Sequence, residues 1–175
     1  MPNIKTPIRR VITGVRNDRS FFAAVENIEP LMAMTGHGFS PIFGADTNTI
    51  PTTGSLDYRP TIFPPAGGYR VHVIEFPAKN ATYEGPLGVW PEHGLTKDES
   101  RGDGTGMHQT DSIDFAIVLD GEIGLESEDG TEVLLHPGDV VVQNGAMHVW
   151  HNKDVPCRVC FVILGAVRES GSPSV

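Results

Sequence analysis

The sequence predicts an all-β fold, and three features indicate it. Between residues 108 and 152, short apolar runs alternate with tight-turn dipeptides at intervals typical of strands. The 175 residues include 20 glycines and 14 prolines, a composition that favours strands and turns over helices. The run Ile113–Leu119 places apolar side chains on both faces at a period of two, so we expect this strand to be buried between layers.

The turn dipeptides separate the strands that follow. Asp120-Gly121 and Asp129-Gly130 suit hairpins, and Pro137-Gly138 suits a type II turn. We therefore predict an antiparallel meander with short links, whose further strands are Ile123–Leu125, Val133–Leu135 and Val140–Val142.

The N-terminal part is also rich in strand-like runs. These are Arg9–Thr13, Ser20–Val25 and Phe39–Phe43, with Asn17–Arg19 as a hairpin link. A loop rich in proline and glycine follows at 44–68, held by apolar anchors, and Tyr69–Phe76 predicts the next strand. We expect residues 1–68 to pack on a barrel formed by 69–167 or to add strands to a second copy, and 168–175 to be a disordered tail. Because exchanged strands would cover exposed sheet edges, a homodimer is favoured.

Histidines lie at both ends of the 108–152 segment, in phases that can bring them together. His108 and Asp114 share parity along the chain, and His148 begins the last run of the segment. Two imidazoles and one carboxylate that converge inside a small barrel suit a divalent metal ion.

These residues resemble the two motifs of the cupin superfamily. The first motif has a histidine, a second histidine two residues later, and a glutamate upstream of a glycine; the second has a Pro-Gly-acidic turn followed by glycine, histidine and asparagine. The matching positions are His108, Asp114 and Gly121 for the first, and Pro137–Asp139, Gly145, His148 and Asn152 for the second. The resemblance implies a cupin double-stranded β-helix, or jelly-roll barrel, with extra N-terminal strands. It also implies that His108, Asp114 and His148 are metal ligands.

Three positions depart from the family's motifs. Thr110 stands where a second histidine is usual, Asp114 replaces glutamate, and Gln143 replaces proline. A threonine hydroxyl is a poor ligand, and the shorter aspartate reaches the ion only if its strand lies closer. The remaining ligands, two histidines and one carboxylate, resemble the facial triad of non-heme iron oxygenases. Fe²⁺ is therefore favoured, with Zn²⁺, Mn²⁺ or Ni²⁺ as alternatives. A bulge near Thr110 would instead turn Asp111 inward, in competition with Asp114.

Strand phase also suggests residues of a substrate pocket. Arg70 and His72 share one face of the predicted strand Tyr69–Phe76. There they could contact an anionic substrate, or His72 could bind the metal. A histidine on a strand is, however, more often packed in the core and hydrogen-bonded. Trp150 has the parity of His148. The long insertion 77–107 predicts either an ordered flap or a cover on the outer barrel. The predicted pocket, which suits an apolar, aromatic or carboxylated molecule, comprises Arg70, His72, Trp90, Thr110 and Trp150.

Charge and hydropathy exclude other partners. A net charge of −9 without lysine or arginine clusters argues against nucleic acids and acidic membranes. No apolar run has the length of a signal peptide core or a membrane span, so we expect a cytoplasmic protein. Cys157 and Cys160 fall in a strand-like run in which their side chains point to opposite faces, so we expect two reduced thiols rather than a redox or zinc site.

The sequence therefore favours a metal-dependent enzyme acting on a small organic molecule, with dioxygenase-type chemistry preferred. A non-redox lyase, decarboxylase or isomerase is an alternative, because a bound ion can also act as a Lewis acid. A third alternative is a cupin that binds a ligand without catalysis, because Thr110 replaces a metal-binding histidine, whose loss would weaken metal binding.

Overall fold

The computed structural model describes residues 7–32, 36–49, 61–82 and 105–168. Within these ranges the chain is all-β, as predicted, with eleven strands and no helix. In chain order the strands are β1 (Ile8–Arg16), β2 (Arg19–Ile28), β3 (Leu31–Met32), β4 (Gly38–Ala45), β5 (Tyr69–Phe76), β6 (Ser112–Asp120), β7 (Ile123–Ser127), β8 (Glu132–Leu135), β9 (Val140–Asn144), β10 (His148–Asn152) and β11 (Cys157–Gly165). It follows that the described ranges contain no helix long and apolar enough to cross a membrane.

The strands form two larger antiparallel sheets and one separate hairpin. Six strands lie side by side in the order β3, β4, β5, β11, β6, β9, and three more in the order β10, β7, β8. Strands β1 and β2 pair only with each other among the described strands. Strand β4 pairs with β5, so the N-terminal part contributes directly to the six-stranded sheet.

The core lies between the inner faces of these two sheets, as a jelly roll requires. It is made of alternate residues that point inward from each strand. The six-stranded sheet and its loops supply Phe39, Ile62, Phe76, Ala116, Val118, Cys157, Val159, Phe161 and Ile163, and the smaller sheet supplies Ile123 and Leu135.

The prediction of a simple meander between residues 112 and 144 is wrong. Strands β7 and β8 form a hairpin around Asp129-Gly130, but β6 pairs with β11 and β9 in the other sheet. Asp120-Gly121 is therefore a link between sheets. Gly121 supplies the left-handed backbone that reverses the chain, with a φ of 74°. The strand with which β6 pairs depends on which apolar faces meet across the core. The residues of a turn do not reveal this.

The expectation that β6 is buried on both faces is also wrong. Its inward residues Asp114, Ala116 and Val118 are buried, whereas Ile113 and Leu119 on the other face are 39% and 47% exposed. The reason is that the three-stranded sheet covers only the inner face.

Other local predictions are confirmed. Strand β5 has the predicted limits, and the link between β1 and β2 has left-handed backbone at Asn17 and Asp18. At the predicted type II turn, the Asp139 amide donates to the His136 carbonyl at 3.0 Å and Gly138 has a φ of 95°.

Candidate metal centre

Two histidines from distant parts of the chain meet at the end of the smaller sheet. His148 opens β10, and His108 lies beside it through a pair of backbone hydrogen bonds, each 2.9 Å long. Their ring centroids are 4.5 Å apart. His148 is buried and His108 is partly buried, so the imidazole pair borders the interior of the barrel.

Both rings are oriented in the same way by the chain itself. Nδ1 of His108 lies 2.9 Å from the Gly106 carbonyl, and Nδ1 of His148 lies 2.8 Å from the Ala146 carbonyl. A carbonyl can only accept, so Nδ1 carries the proton, and in the neutral ring Nε2 keeps its lone pair. Burial lowers the pKa of His148 to about 4, an effect that outweighs its backbone hydrogen bond, so this ring is neutral at physiological pH. Metal-binding histidines are commonly fixed by such a contact.

Asp114 lies on the inward face of β6 and is only 6% exposed. Its Oδ1 atom is buried and has no hydrogen-bond partner among the described residues. The Ser112 hydroxyl donates to the carboxylate, and Ser112 Oγ lies 2.6 Å from Thr110 Oγ1. Burial raises the pKa of Asp114 to about 6 despite the Ser112 contact. A nearby cation would compensate this poorly solvated charge.

The three predicted ligands do not form a closed coordination group as they stand. Within the described ranges, the only three histidine, cysteine or acidic residues whose ligand atoms all lie within 4.8 Å of one another are Glu126, Glu132 and His151. The side chains of this surface cluster already have partners. His151 Nε2 lies 2.7 Å from Glu126, and Lys153 contacts Glu132. The interior site thus has two pre-oriented imidazoles and a separate buried carboxylate.

Comparisons with known proteins show which proteins this chain is similar to. No protein-family model matches the sequence. The cupin-domain-containing oxidoreductase SrdB of Neurospora crassa, however, is 25% identical over 93% of this chain and 76% of its own length. This near-complete alignment agrees with the two motifs and with the two-sheet architecture. The alignment, the motifs and the fold together support a cupin-superfamily protein.

Two further similarities are more limited. The phomopsin biosynthesis cluster protein C' of Diaporthe leptostromiformis is 47% identical over 62 residues, which are 34% of this chain and 33% of that protein. The chain therefore matches about a third of that relative's length. A cupin 2 conserved barrel domain protein of Salinispora arenicola overlaps 78% of this chain and 82% of its own at 15% identity, with a TM-score of 0.44. Neither similarity assigns an activity to this chain.

The departures from the cupin motif have visible structural roles. Thr110, where the family usually has a histidine, is buried and bonded to Ser112. Asp111 points outward and bonds to Arg168, with Asp111 Oδ1 2.5 Å from Nε, so the described backbone does not turn it inward. Gln143 is buried opposite Asp114 in the register of β6 and β9. The sequence shows Gln143 only as a departure from the motif's proline, because the register that places it beside Asp114 joins two strands that are distant in the chain.

Arg70 and His72 both point into the interior from β5, but local groups engage them. Arg70 is 1% exposed, and its guanidinium donates to the Thr61 carbonyl and hydroxyl, the Ala45 and Tyr69 carbonyls, and Asp46 at 2.6 Å. His72 donates from Nε2 to the Ile62 carbonyl at 2.9 Å, and Nδ1 is buried without a described partner. Burial lowers the pKa of His72 to about 4, so the ring is neutral. Together they hold residues 61 and 62 against the sheet.

Aromatic side chains line the same interior. The Trp150 ring is 6.1 Å from that of His148 and 5.5 Å from that of Phe161, both edge-on. The ring centroids of Phe63 and His108 are 6.5 Å apart. The sequence predicts Phe63 only as an apolar anchor of its loop, because a loop has no strand phase that would direct the ring toward the histidines. Trp90 and most of the predicted insertion lie outside the described residues.

The two cysteines of the predicted strand lie on β11. Both are free thiols on β11, Cys157 buried and Cys160 partly buried. Burial raises the pKa of both, that of Cys157 to about 12, which makes them poor nucleophiles and poor metal ligands.

Proposed function

We propose that this cupin is a metal-dependent enzyme that acts on a small organic molecule between its two sheets, with oxidoreductase chemistry of the dioxygenase type. The observation that carries the proposal is the His108–His148 pair, whose rings lie 4.5 Å apart and are both fixed through Nδ1. The near-complete alignment with a protein named as a cupin-domain-containing oxidoreductase supports the reaction class.

In this proposal the two imidazoles bind a divalent ion through Nε2. Neutral rings are required for this, and the lowered pKa of His148 keeps that ring available down to mildly acidic pH. Asp114 is the third, anionic ligand, because its unpartnered Oδ1 gains most from a nearby cation. An ion of this kind supplies either redox chemistry, if it is iron, or polarisation of a substrate oxygen.

The described surroundings favour an apolar or aromatic substrate. Trp150, Phe63 and Phe161 provide ring faces and edges near the histidines. Arg70 is engaged with Asp46 and with backbone carbonyls, so we do not assign it as the anchor of a carboxylate. Polar recognition on this side falls to Thr110, Ser112 and Gln143, which are buried near Asp114.

The proposal is tested by metal analysis of protein purified without a histidine tag or chelator. We expect one divalent ion per chain, lost in His108→Ala and His148→Ala. The matched control is His136→Ala, since the His136 side chain is 59% exposed in a turn and should leave the metal content unchanged. A parent protein that binds no ion after reconstitution, or one that keeps its ion in both histidine variants, would refute the metal-dependent function.

The reaction class needs a second readout. With iron bound, oxygen consumption that depends on an added small aromatic substrate would support dioxygenase chemistry. Turnover of a substrate without oxygen uptake, with zinc, manganese or nickel bound, would favour the non-redox alternative instead.

A further inference from the structure

Arg168 joins the two segments of the chain that carry the interior histidines. One of its terminal nitrogens, Nη2, donates both to the Thr110 carbonyl at 3.1 Å and to the Gly145 carbonyl at 2.9 Å. The two acceptors lie in residues 106–110 and 145–148, which we call the first and the second histidine segment. A single guanidinium group therefore spans both segments.

Each histidine segment also fixes the ring of its own histidine. In the first segment the Gly106 carbonyl accepts from Nδ1 of His108, and in the second the Ala146 carbonyl accepts from Nδ1 of His148. The only direct backbone pairing between the two segments is the isolated bridge between His108 and His148, with two hydrogen bonds of 2.9 Å. Because this bridge is one residue pair and not a ladder, the contacts beside it help to decide how far apart the two rings lie.

Arg168 is itself held in place beside the first histidine segment. Its Nε donates to Asp111 Oδ1 at 2.5 Å, and the Ala166 amide donates to the Asp111 carbonyl at 2.9 Å. The planar fork of the guanidinium is thus oriented before it reaches the two carbonyls. The exposed ion pair with Asp111 contributes little by itself, whereas hydrogen bonds from a charged donor are stronger than neutral ones. The contacts that matter most are therefore those with Thr110 and Gly145.

The backbone at Gly145 leaves just enough space for this arrangement. A Cβ atom at this position would lie 3.1 Å from Arg168 Nη2 and 3.0 Å from the Thr110 carbonyl oxygen, and the residue has a φ of 65°. A cavity of about 380 Å³ lies beside these contacts, and Ser112 and Asn144 are among the residues that line it. Water can therefore reach the two carbonyls once the guanidinium is removed.

We propose that Arg168 is a positioning residue for the metal centre, which holds the two histidine segments together so that both imidazoles face the ion at the same time. Arg168 does not bind the ion itself. The inference rests on the proposed function for the role of the ion, whereas the link between the segments is a property of the metal-free chain. Without the guanidinium the bridge between His108 and His148 opens more often. The ion then binds more weakly, because only the closed form presents both rings.

The first test is amide hydrogen exchange of the metal-free full chain. The amides of His108 and His148 form the bridge, so they should exchange about tenfold faster in Arg168→Ala than in the parent. Amides of β11, the central strand of its sheet, should keep the parent rates. The control is Arg19→Ala, an exposed arginine at the start of β2, which should leave all these rates unchanged. Equal rates at His108 and His148 in the parent and Arg168→Ala, or an equal increase throughout β11, would overturn the proposal.

The second test is the coupling to metal, measured by cobalt(II) titration. Arg168→Ala should bind cobalt about tenfold more weakly than the parent and Arg19→Ala, with the parent's visible spectrum at saturation, because the ligands are unchanged. Saturating cobalt should also restore slow exchange at His108 and His148 in Arg168→Ala, since the ion and the guanidinium hold the same two segments together. A folded Arg168→Ala with the parent's cobalt affinity, or one in which exchange stays fast with cobalt bound, would contradict the proposed role.

Arg168→Lys separates the planar fork from the positive charge. Lysine keeps the charge but lacks the fork, so this variant should show the fast exchange of Arg168→Ala. Exchange as slow as in the parent would overturn the proposal. The lysine variant also decides the result if circular dichroism shows that Arg168→Ala is not folded. A parent that binds no cobalt would refute the proposed function and with it the role of Arg168 at a metal, whereas fast exchange in the metal-free variants would still establish that Arg168 joins the two segments.

Discussion

Glu75 makes the stability of this protein depend on pH, and a single substitution should remove this contribution. The residue lies on β5 and is 2% exposed, and neither carboxylate oxygen has a hydrogen-bond partner among the described residues. Burial raises its pKa from 4.5 to about 7, although Arg158, opposite it on β11, acts in the other direction. Glu75 is thus a buried acid that ionises only at a cost to the fold.

The sign and size of the effect follow from this pKa. Below about pH 4.5 the carboxyl is protonated in both the folded and unfolded chains and contributes nothing. Between pH 4.5 and 7 only the unfolded chain ionises, so the free energy of unfolding falls as pH rises. Above about pH 7 the loss is complete, and at about 1.4 kcal/mol per pH unit it amounts to up to about 3 kcal/mol.

Glu75→Gln keeps the size of the side chain but cannot ionise. We expect its free energy of unfolding to exceed that of the parent by up to about 3 kcal/mol at pH 8 and to approach the parent value at pH 4.5. Urea denaturation of both proteins across this range measures the difference. Ser40→Ala is the control, since this buried hydroxyl also lacks a described partner but does not titrate, so any change should be the same at every pH. A difference between Glu75→Gln and the parent that stays constant from pH 4.5 to pH 8 would show that ionisation of Glu75 does not affect stability.

Two further predictions concern stability. Burial lowers the pKa of His72 from 6.5 to about 4, so as the pH falls between these values the histidine is protonated in the unfolded chain first, and the parent's free energy of unfolding decreases by up to about 3 kcal/mol. His72→Gln should lose less of its stability over the same range. Urea denaturation at pH 7 and pH 4 measures both losses. Gly121→Ala should lower the melting temperature far more than Gly130→Ala. Both glycines have a left-handed φ, costing about 1 kcal/mol for alanine, but only at Gly121 would the added carbon lie 1.9 Å from a backbone oxygen. Equal melting temperatures would contradict this account of Gly121.

Local pattern predicted most of the strands, because side-chain period and turn residues are properties of neighbouring positions. The limits of β5 agree with the prediction, and His108 and His148 meet as their parity suggested. Sheet membership could not be predicted in this way. Asp120-Gly121 looks like a hairpin turn, but β6 is held by β9 and β11, whose positions in the chain are distant.

The polar surroundings of the site were also beyond local reasoning. Parity places Arg70 and His72 inward, but it does not reveal that the segment at Thr61 and Ile62 occupies their hydrogen-bonding groups. Similarly, the buried Gln143 faces Asp114 only because of the register between two strands. Such contacts are set by how separate segments pack, so they become visible only when the tertiary structure is known.

In the proposed function the interior histidines, rather than the surface cluster, bind the metal ion. Cobalt(II) titration, followed by the visible absorption of the bound ion, tests it directly, because the surface cluster contains His151 and the interior site contains His108 and His148. We predict that the parent and His151→Ala bind cobalt with the same spectrum and affinity, and that His148→Ala loses both. Loss of the signal in His151→Ala with full retention in His148→Ala would contradict the account and place the ion on the surface.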